Sequence, residues 1–158
     1  MEQGSESLMA SAEERARVLN SLPQTGPFRF LDEITELTPE SIVAHYRFRS
    51  DAWFYRGHFV GDPVTPGVIL IESMAQASLV ALGIFLASRE SQGQKLRTLF
   101  TECQVEFSAV VRPEEKVIIK GQRLLWRRNK LRSNVEMRFE DGRLIAHGTV
   151  AGMGVEVP

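Results

Sequence analysis

The run from Pro66 to Ala87 constrains this chain more than any other stretch, because it is apolar on nearly every side of a helix and such a helix must be surrounded. Its length approaches that of a bilayer crossing. Glu72 and Gln76 argue against that location, since acids inside membranes are rare, and so do the amphipathic strands that follow. The remaining solution is a core helix wrapped by the rest of a soluble protein, with no membrane span.

The flanking sequence supplies the wrapping. Ile42, Ala44, Tyr46 and Phe48 alternate with Val43, His45, Arg47 and Arg49, a period of two that predicts a strand. Leu131, Ser133, Val135, Met137 and Phe139 alternate with Arg132, Asn134, Glu136, Arg138 and Glu140. Asp141-Gly142 marks a tight turn, and Leu144 to Val150 reads as the returning strand. Further strands near Leu99–Val111 and Glu115–Trp126 give a sheet of about six. Ser11-Ala12-Glu13-Glu14 is a capping-box pattern opening a short helix through about Asn20. One long buried helix amid antiparallel strands is an α+β arrangement.

Residues 1–10 read as a flexible tail and 11–158 as a single domain. A chain of 158 residues with 43% hydrophobic content builds one sizeable core. A formal net charge of −1 excludes general nucleic-acid attraction as its main business. Cys103 has no second cysteine to pair with, which favours a reducing, cytoplasmic setting.

Chemistry concentrates between Gly57 and Gln76, which read GHFVGDPVTPGVILIESMAQ. Gly57, Gly61, Pro63, Pro66 and Gly67 fix turns around His58, and Glu72 follows inside the apolar helix. A carboxylate in Val68-Ile69-Leu70-Ile71-Glu72 loses hydration, so its pKa is expected to rise and keep a proton available for general acid work. The helix start offers the N–H of Gly67, with the helix dipole behind it, to a developing negative charge. Gln76 stands one turn beyond Glu72 on the same face, where it can orient the carboxyl group. His45 falls on the Arg-bearing face of its strand, and His147 on the face opposite Leu144, Ala146 and Val150; both read as solvated or structural. No His/Cys/Asp cluster has metal-ligand spacing, and neither a phosphate-binding glycine loop nor a nucleophile elbow occurs, so cofactor-free chemistry is expected.

These residues resemble the signature of the 3-hydroxyacyl-acyl-carrier-protein dehydratases, roughly GHFPGxPxxPGVLxxEAMAQ. The match runs through Gly57-His58-Phe59, Gly61, Pro63, Pro66-Gly67-Val68, Glu72 and Met74-Ala75-Gln76. Upstream, Leu22-Pro23-Gln24-Thr25-Gly26-Pro27-Phe28 is similar to the family's LPHRxPF loop, and the likeness extends from about Leu22 to Val150. Val60 stands where the family has Pro, Gln24 where many members have His, and Trp53 where Pro is common. The related dehydratase-isomerase branch uses Asp as its acid, so Glu72 favours simple dehydration.

The resemblance implies a hot-dog fold, with a curved antiparallel sheet of about six strands around one long central helix. It implies loss of water from 3-hydroxyacyl thioesters on acyl carrier protein, giving trans-2-enoyl thioesters in fatty-acid or polyketide-type biosynthesis. It assigns His58 as base and Glu72 as acid, gives the Val64 carbonyl to the other imidazole nitrogen, and counts Phe59, Val64, Gly67 and Gln76 as substrate-binding residues. It sets His58 of one protomer opposite the partner's Glu72, hence a homodimer, with trimers of dimers in many members. Arg127, Arg128 and Lys130, within the basic run Arg123–Arg132 around Asn129, are candidates for docking the acidic carrier. Two other readings stay open on the same residues: a hot-dog acyl thioesterase, and a non-catalytic acyl-binding partner subunit of a dehydratase.

Overall fold

The computed structural model describes residues 8–90 and 96–157. In chain order it contains α1 (Ala12–Asn20), β1 (Glu33–Leu37), β2 (Ser41–Arg47), a 3-10 turn at Trp53–Arg56, and then the central helix. That helix runs as α2 (Gly67–Ala75), a π-helical stretch at Gln76–Ala81, and α3 (Leu82–Arg89). Strands β3 (Leu96–Phe107), β4 (Lys116–Arg127), β5 (Lys130–Phe139) and β6 (Leu144–Glu156) complete the chain. The six strands form one antiparallel sheet in the order β1-β2-β4-β5-β6-β3, wrapped around the helix as an α+β hot-dog fold.

The central helix is long and apolar enough to cross a membrane, but 72% of its most apolar window is buried inside the fold. Leu70, Met74, Ala77, Leu79, Leu82 and Phe85 share a core with Ile42, Ile119, Leu131, Val135, Met137, Ile145 and Val150 of the sheet. The helix approaches the sheet closely at Ser78: a Cβ on Gly121 would stand 2.7 Å from the Ser78 Cβ, so only glycine fits there. Ser133 Oγ of β5 donates to the Ser78 carbonyl at 3.0 Å, while Ser78 Oγ donates back to Met74 O at 2.7 Å. A π turn shifts the i→i−4 ladder, and these serines serve the backbone where it does so.

The sequence reading locates five of the six strands, two of them by their period-two pattern. The sixth, β1, carries a bulge between Ile34 and Glu36, so its buried residues Ile34 and Leu37 lie three apart and the alternation vanishes. β3 begins at Leu96 and leaves the ladder at Phe107 rather than running Leu99–Val111; beyond it Val111 O accepts from Thr65 N at 2.8 Å. β6 continues past Val150 to Glu156 because the early residues of β3 pair with it. Within β6, Ile145 and Ala146 are both buried while Leu144 is only partly so, because a register shift opposite, at Met137/Arg138, breaks the expected alternation.

Ser11 Oγ caps α1 by accepting from Glu14 N at 3.1 Å. Residues 1–7 of the expected tail lie outside the described residues. The packed chain starts before the expected boundary at 11, since Ala10 is buried and its N–H donates to Leu37 O at 2.8 Å. The two hairpin turns stand where expected. Arg128 and Asn129 adopt φ of 51° and 63°, a pair suited to a two-residue primed turn, and Gly142 takes φ 94°.

Candidate active site

The loop bearing His58 is held at its base by Tyr55 Oη and Thr65 Oγ1, buried and 2.6 Å apart. Between them the chain folds back on itself. Val64 N donates to His58 O at 2.8 Å, and Phe59 and Asp62 exchange backbone hydrogen bonds at 3.1 Å, a turn that Gly61 completes at φ 75°. The imidazole Nδ1 then lies 2.8 Å from the Val64 carbonyl oxygen. A carbonyl can only accept, so Nδ1 carries a hydrogen and Nε2 is the atom left to take or give a proton. The Phe59 ring stacks on the imidazole at 4.2 Å and is itself 56% exposed, an apolar surface open to a ligand.

Glu72 lies on α2, partly exposed, with Gln76 Nε2 donating to its Oε1 at 3.0 Å. Burial pushes its carboxyl pKa up, and the Gln76 hydrogen bond opposes that rise. Gln76 is fully buried and does more than orient the acid. Its Nε2 also donates to Phe28 O and its Oε1 accepts from Phe30 N, each at 2.8 Å, while Ser73 Oγ donates to Phe30 O at 2.8 Å. The Leu22–Phe28 loop that carries the upstream motif is thereby fastened over the helix face bearing Glu72. Sequence reasoning missed Tyr55, Thr65 and Ser73. Ser73 alone carried a signal, as a hydroxyl in an apolar run that needs a buried partner.

Pro66 is the N-cap of α2, and Gly67 opens the helix. Ile69 and Leu70 N–H donate to Pro66 O, which leaves the Gly67 and Val68 N–H groups at the open end of the helix. Gly67 lies against Phe107 of β3, whose ring a Cβ would approach to 3.2 Å. Within one chain His58 and Glu72 share no hydrogen bond; each has its own partners.

Of the basic run, Arg123 pairs with Glu40 at 2.6 Å and Arg132 with Glu102 at 2.7 Å. Among the described residues, Arg127, Arg128 and Lys130 have no ion-pair partner. His147 lies 3.4 Å from Glu106 on the exposed side of the sheet, and His45 is half-buried on β2. Among the described residues no three His, Cys, Asp or Glu side chains converge as a metal site would require.

The raised carboxyl has a measurable consequence for stability. An unfolded Glu72 titrates near 4.5, whereas the folded one holds its proton to higher pH. The native state therefore loses stability as pH rises from that value through the folded pKa. Glu72→Gln, which keeps the acceptor for Gln76, is expected to be more stable than the parent near neutral pH, with the gap closing as pH falls toward 4.5. Urea unfolding across that range checks this, and a gap independent of pH contradicts it.

Comparison with known proteins bears on this arrangement. The FabA-like domain family matches residues 22–151. A 3-hydroxyacyl-[acyl-carrier-protein] dehydratase from Lactobacillus helveticus is 34% identical over 127 residues, covering 80% of this chain and 83% of its own. Among solved structures, the dehydratase heterocomplex ApeI:P from Xenorhabdus doucetiae superposes with a TM-score of 0.72 at 17% identity, over 88% of this chain and 91% of that one. A hypothetical thioesterase with coenzyme A from Streptococcus pneumoniae gives 0.58 at 12% identity, over 78% and 85%. At such identities the two structures speak for the fold alone. The family match spans most of the chain and takes in both His58 and Glu72: the chain belongs to the FabA-like family, alongside the 3-hydroxyacyl-[acyl-carrier-protein] dehydratases.

Proposed function

We propose that this protein removes water from 3-hydroxyacyl thioesters carried on acyl carrier protein, yielding trans-2-enoyl thioesters, and that it works in the cytoplasm as a homodimer. The observation that carries this reading is the pairing of chemical states: an imidazole whose Nδ1 is tied to Val64 O, and a carboxyl group that burial keeps protonated to higher pH. Nε2 of His58 takes the proton from the carbon beside the thioester carbonyl. The enolate oxygen is met by the Gly67 N–H at the helix start. Glu72 gives its proton to the departing 3-hydroxyl, the C3–O bond breaks, the C2=C3 double bond forms and water leaves. The protons are then restored as His58 passes its own back toward the carboxylate through solvent.

Two features support a shared site. His58 and Glu72 are fastened to separate partners within one chain. β3 is a long sheet edge with Leu99, Phe100 and Phe107 exposed, and such an edge invites a second strand. Phe107 of that edge borders Gly67, so a partner added there would stand beside the start of the helix that carries Glu72. A cavity of about 770 Å³ beyond Gln76, lined by Leu79, Ile84, Ala87 and Leu131 among others, receives the acyl chain.

Incubation with a 3-hydroxyacyl thioester tests the assignment, the expected product being the enoyl thioester with its conjugated absorbance. Release of free thiol instead identifies a thioesterase, and no turnover identifies a binding subunit. The carrier docks on Arg127, Arg128 and Lys130 in this reading. Reversing those charges should slow carrier-bound substrate most at low salt, since the Debye length is about 8 Å at physiological ionic strength, and leave a small carrier-free thioester nearly unaffected. Equal loss on both substrates, or none on either, removes the hairpin from the docking surface.

A further inference from the structure

The carbonyl that fixes the His58 tautomer belongs to a peptide unit whose other half is also held. Val64 O accepts from the imidazole at 2.8 Å, and the N–H of Thr65, in the same trans peptide, donates to Val111 O at 2.8 Å. A trans peptide is planar and points its C=O and N–H in opposite directions, so anchoring the N–H helps to aim the carbonyl. Two ties at the ends of one plane still let it swing about the line between them. The Thr65 side chain supplies a third: Oγ1 lies 2.6 Å from Tyr55 Oη, with both residues buried. Tyr55 stands in the 3-10 turn that leads into Gly57 and His58, its N–H donating to Ala52 O. The hydroxyl contact therefore joins the two ends of the His58 loop, ten residues apart in sequence. Packing does not call for hydroxyls here, because Phe and Val would fill the same space without the cost of burying polar atoms. Burial pushes the Tyr55 phenol pKa up, so the group keeps its hydrogen through the neutral range.

From these contacts we propose that Tyr55 is a positioning residue for the acid–base chemistry: through Thr65 its hydroxyl holds the Val64–Thr65 peptide in the orientation that keeps the hydrogen of His58 on Nδ1 and leaves Nε2 free as the base. Without that tie the peptide swings, the Nδ1 contact weakens, and the imidazole is free to carry its hydrogen on Nε2. An imidazole in that tautomer has no lone pair at Nε2 with which to take a proton from substrate. Both hydroxyls are buried and beyond the reach of a ligand, so their loss falls on the proton-transfer step and not on binding.

This inference rests on the dehydratase reading, and the tautomer of His58 gives it a readout that does not depend on turnover. Tyr55→Phe, Thr65→Val and the double variant are to be compared with the parent in melting temperature and in kcat and KM on a carrier-bound 3-hydroxyacyl substrate. The imidazole nitrogen chemical shifts of each are read by NMR in mildly alkaline buffer and assigned against His58→Ala. Each single variant strands one buried hydroxyl and should melt about 3–10 °C lower. The double variant removes both partners together, so most of that fall should be regained. Turnover should not follow: kcat is expected to drop about five- to a hundredfold in all three, with KM within about twofold of the parent. The imidazole should move toward the Nε2–H form in the same three proteins. Thr65→Ser, which keeps the hydroxyl, should keep the parent spectrum and most of its kcat. If the parent dehydrates nothing but the imidazole shift appears in the variants, the reaction is wrong and the positioning role stands. A double variant with parent-like kcat and spectrum overturns the role of Tyr55, as does a loss of kcat with an unshifted imidazole. Should the double variant fail to fold, unshifted nitrogens in folded Tyr55→Phe overturn it equally.

Discussion

His58→Ala and Glu72→Gln should each lower turnover by about a hundred- to ten-thousand-fold, the range spanned by a positioned acid or base. Neither change removes much apolar packing, so both variants should fold and dimerise. The imidazole is lost outright in the first, whereas the second keeps a group of the same shape that accepts from Gln76 and has no acidic proton to give. Mixing the two inactive proteins then tests where the pair meets. In a heterodimer built on shared sites, one site holds both wild-type groups and the other neither, so an equal mixture that exchanges at random, half of it heterodimer, should recover toward about a quarter of the parent's activity. Near-normal turnover by either single variant removes that residue from the chemistry. No recovery despite demonstrated subunit exchange puts acid and base within one protomer.

Gln76→Ala is expected to do the largest damage to stability of any single change around the site. The side chain is fully buried and joins three partners: Phe30 N, Phe28 O and Glu72 Oε1. Truncation strands the Phe30 N–H, leaves Phe28 O short of a donor, and opens a cavity. The combined loss is about 2–5 kcal/mol. For a chain of this size that corresponds to a fall in melting temperature of roughly 5–15 °C. The loop from Leu22 to Phe28 should loosen first, since Gln76 and Ser73 are what fasten its end to the helix. Amide exchange at Phe30 gives a local readout. A variant within 1 kcal/mol of the parent, with Phe30 still protected, would mean water replaces the amide without penalty. Gln76→Glu separates geometry from polarity: it matches the volume but offers no donor to Phe28 O unless protonated.

The sequence made the central helix and its acid legible for one physical reason. An apolar cylinder has to be buried, and a carboxylate within it has to be explained. β5 was readable because one of its faces is buried and the other solvated, and β6 because Asp141-Gly142 marks the turn that leads into it. β1 escaped because a bulge at Thr35 destroys the alternation on which strand reading depends, and the end of β3 escaped because Ser108–Val111 remains apolar after leaving the ladder. His58 and Glu72 could be named from their spacing. The buried Tyr55–Thr65 contact could not, because ten residues of loop lie between them and no local pattern links the two.

The meeting of Ser78, Gly121 and Ser133 gives the central helix the mechanics of a lever. The helix is pinned to the sheet near its midpoint, by contact at Gly121 and by the hydrogen bond from Ser133. Glu72 stands six residues from this fulcrum, so a shift of the sheet at Gly121 or Ser133 would be carried along the helix to the acid.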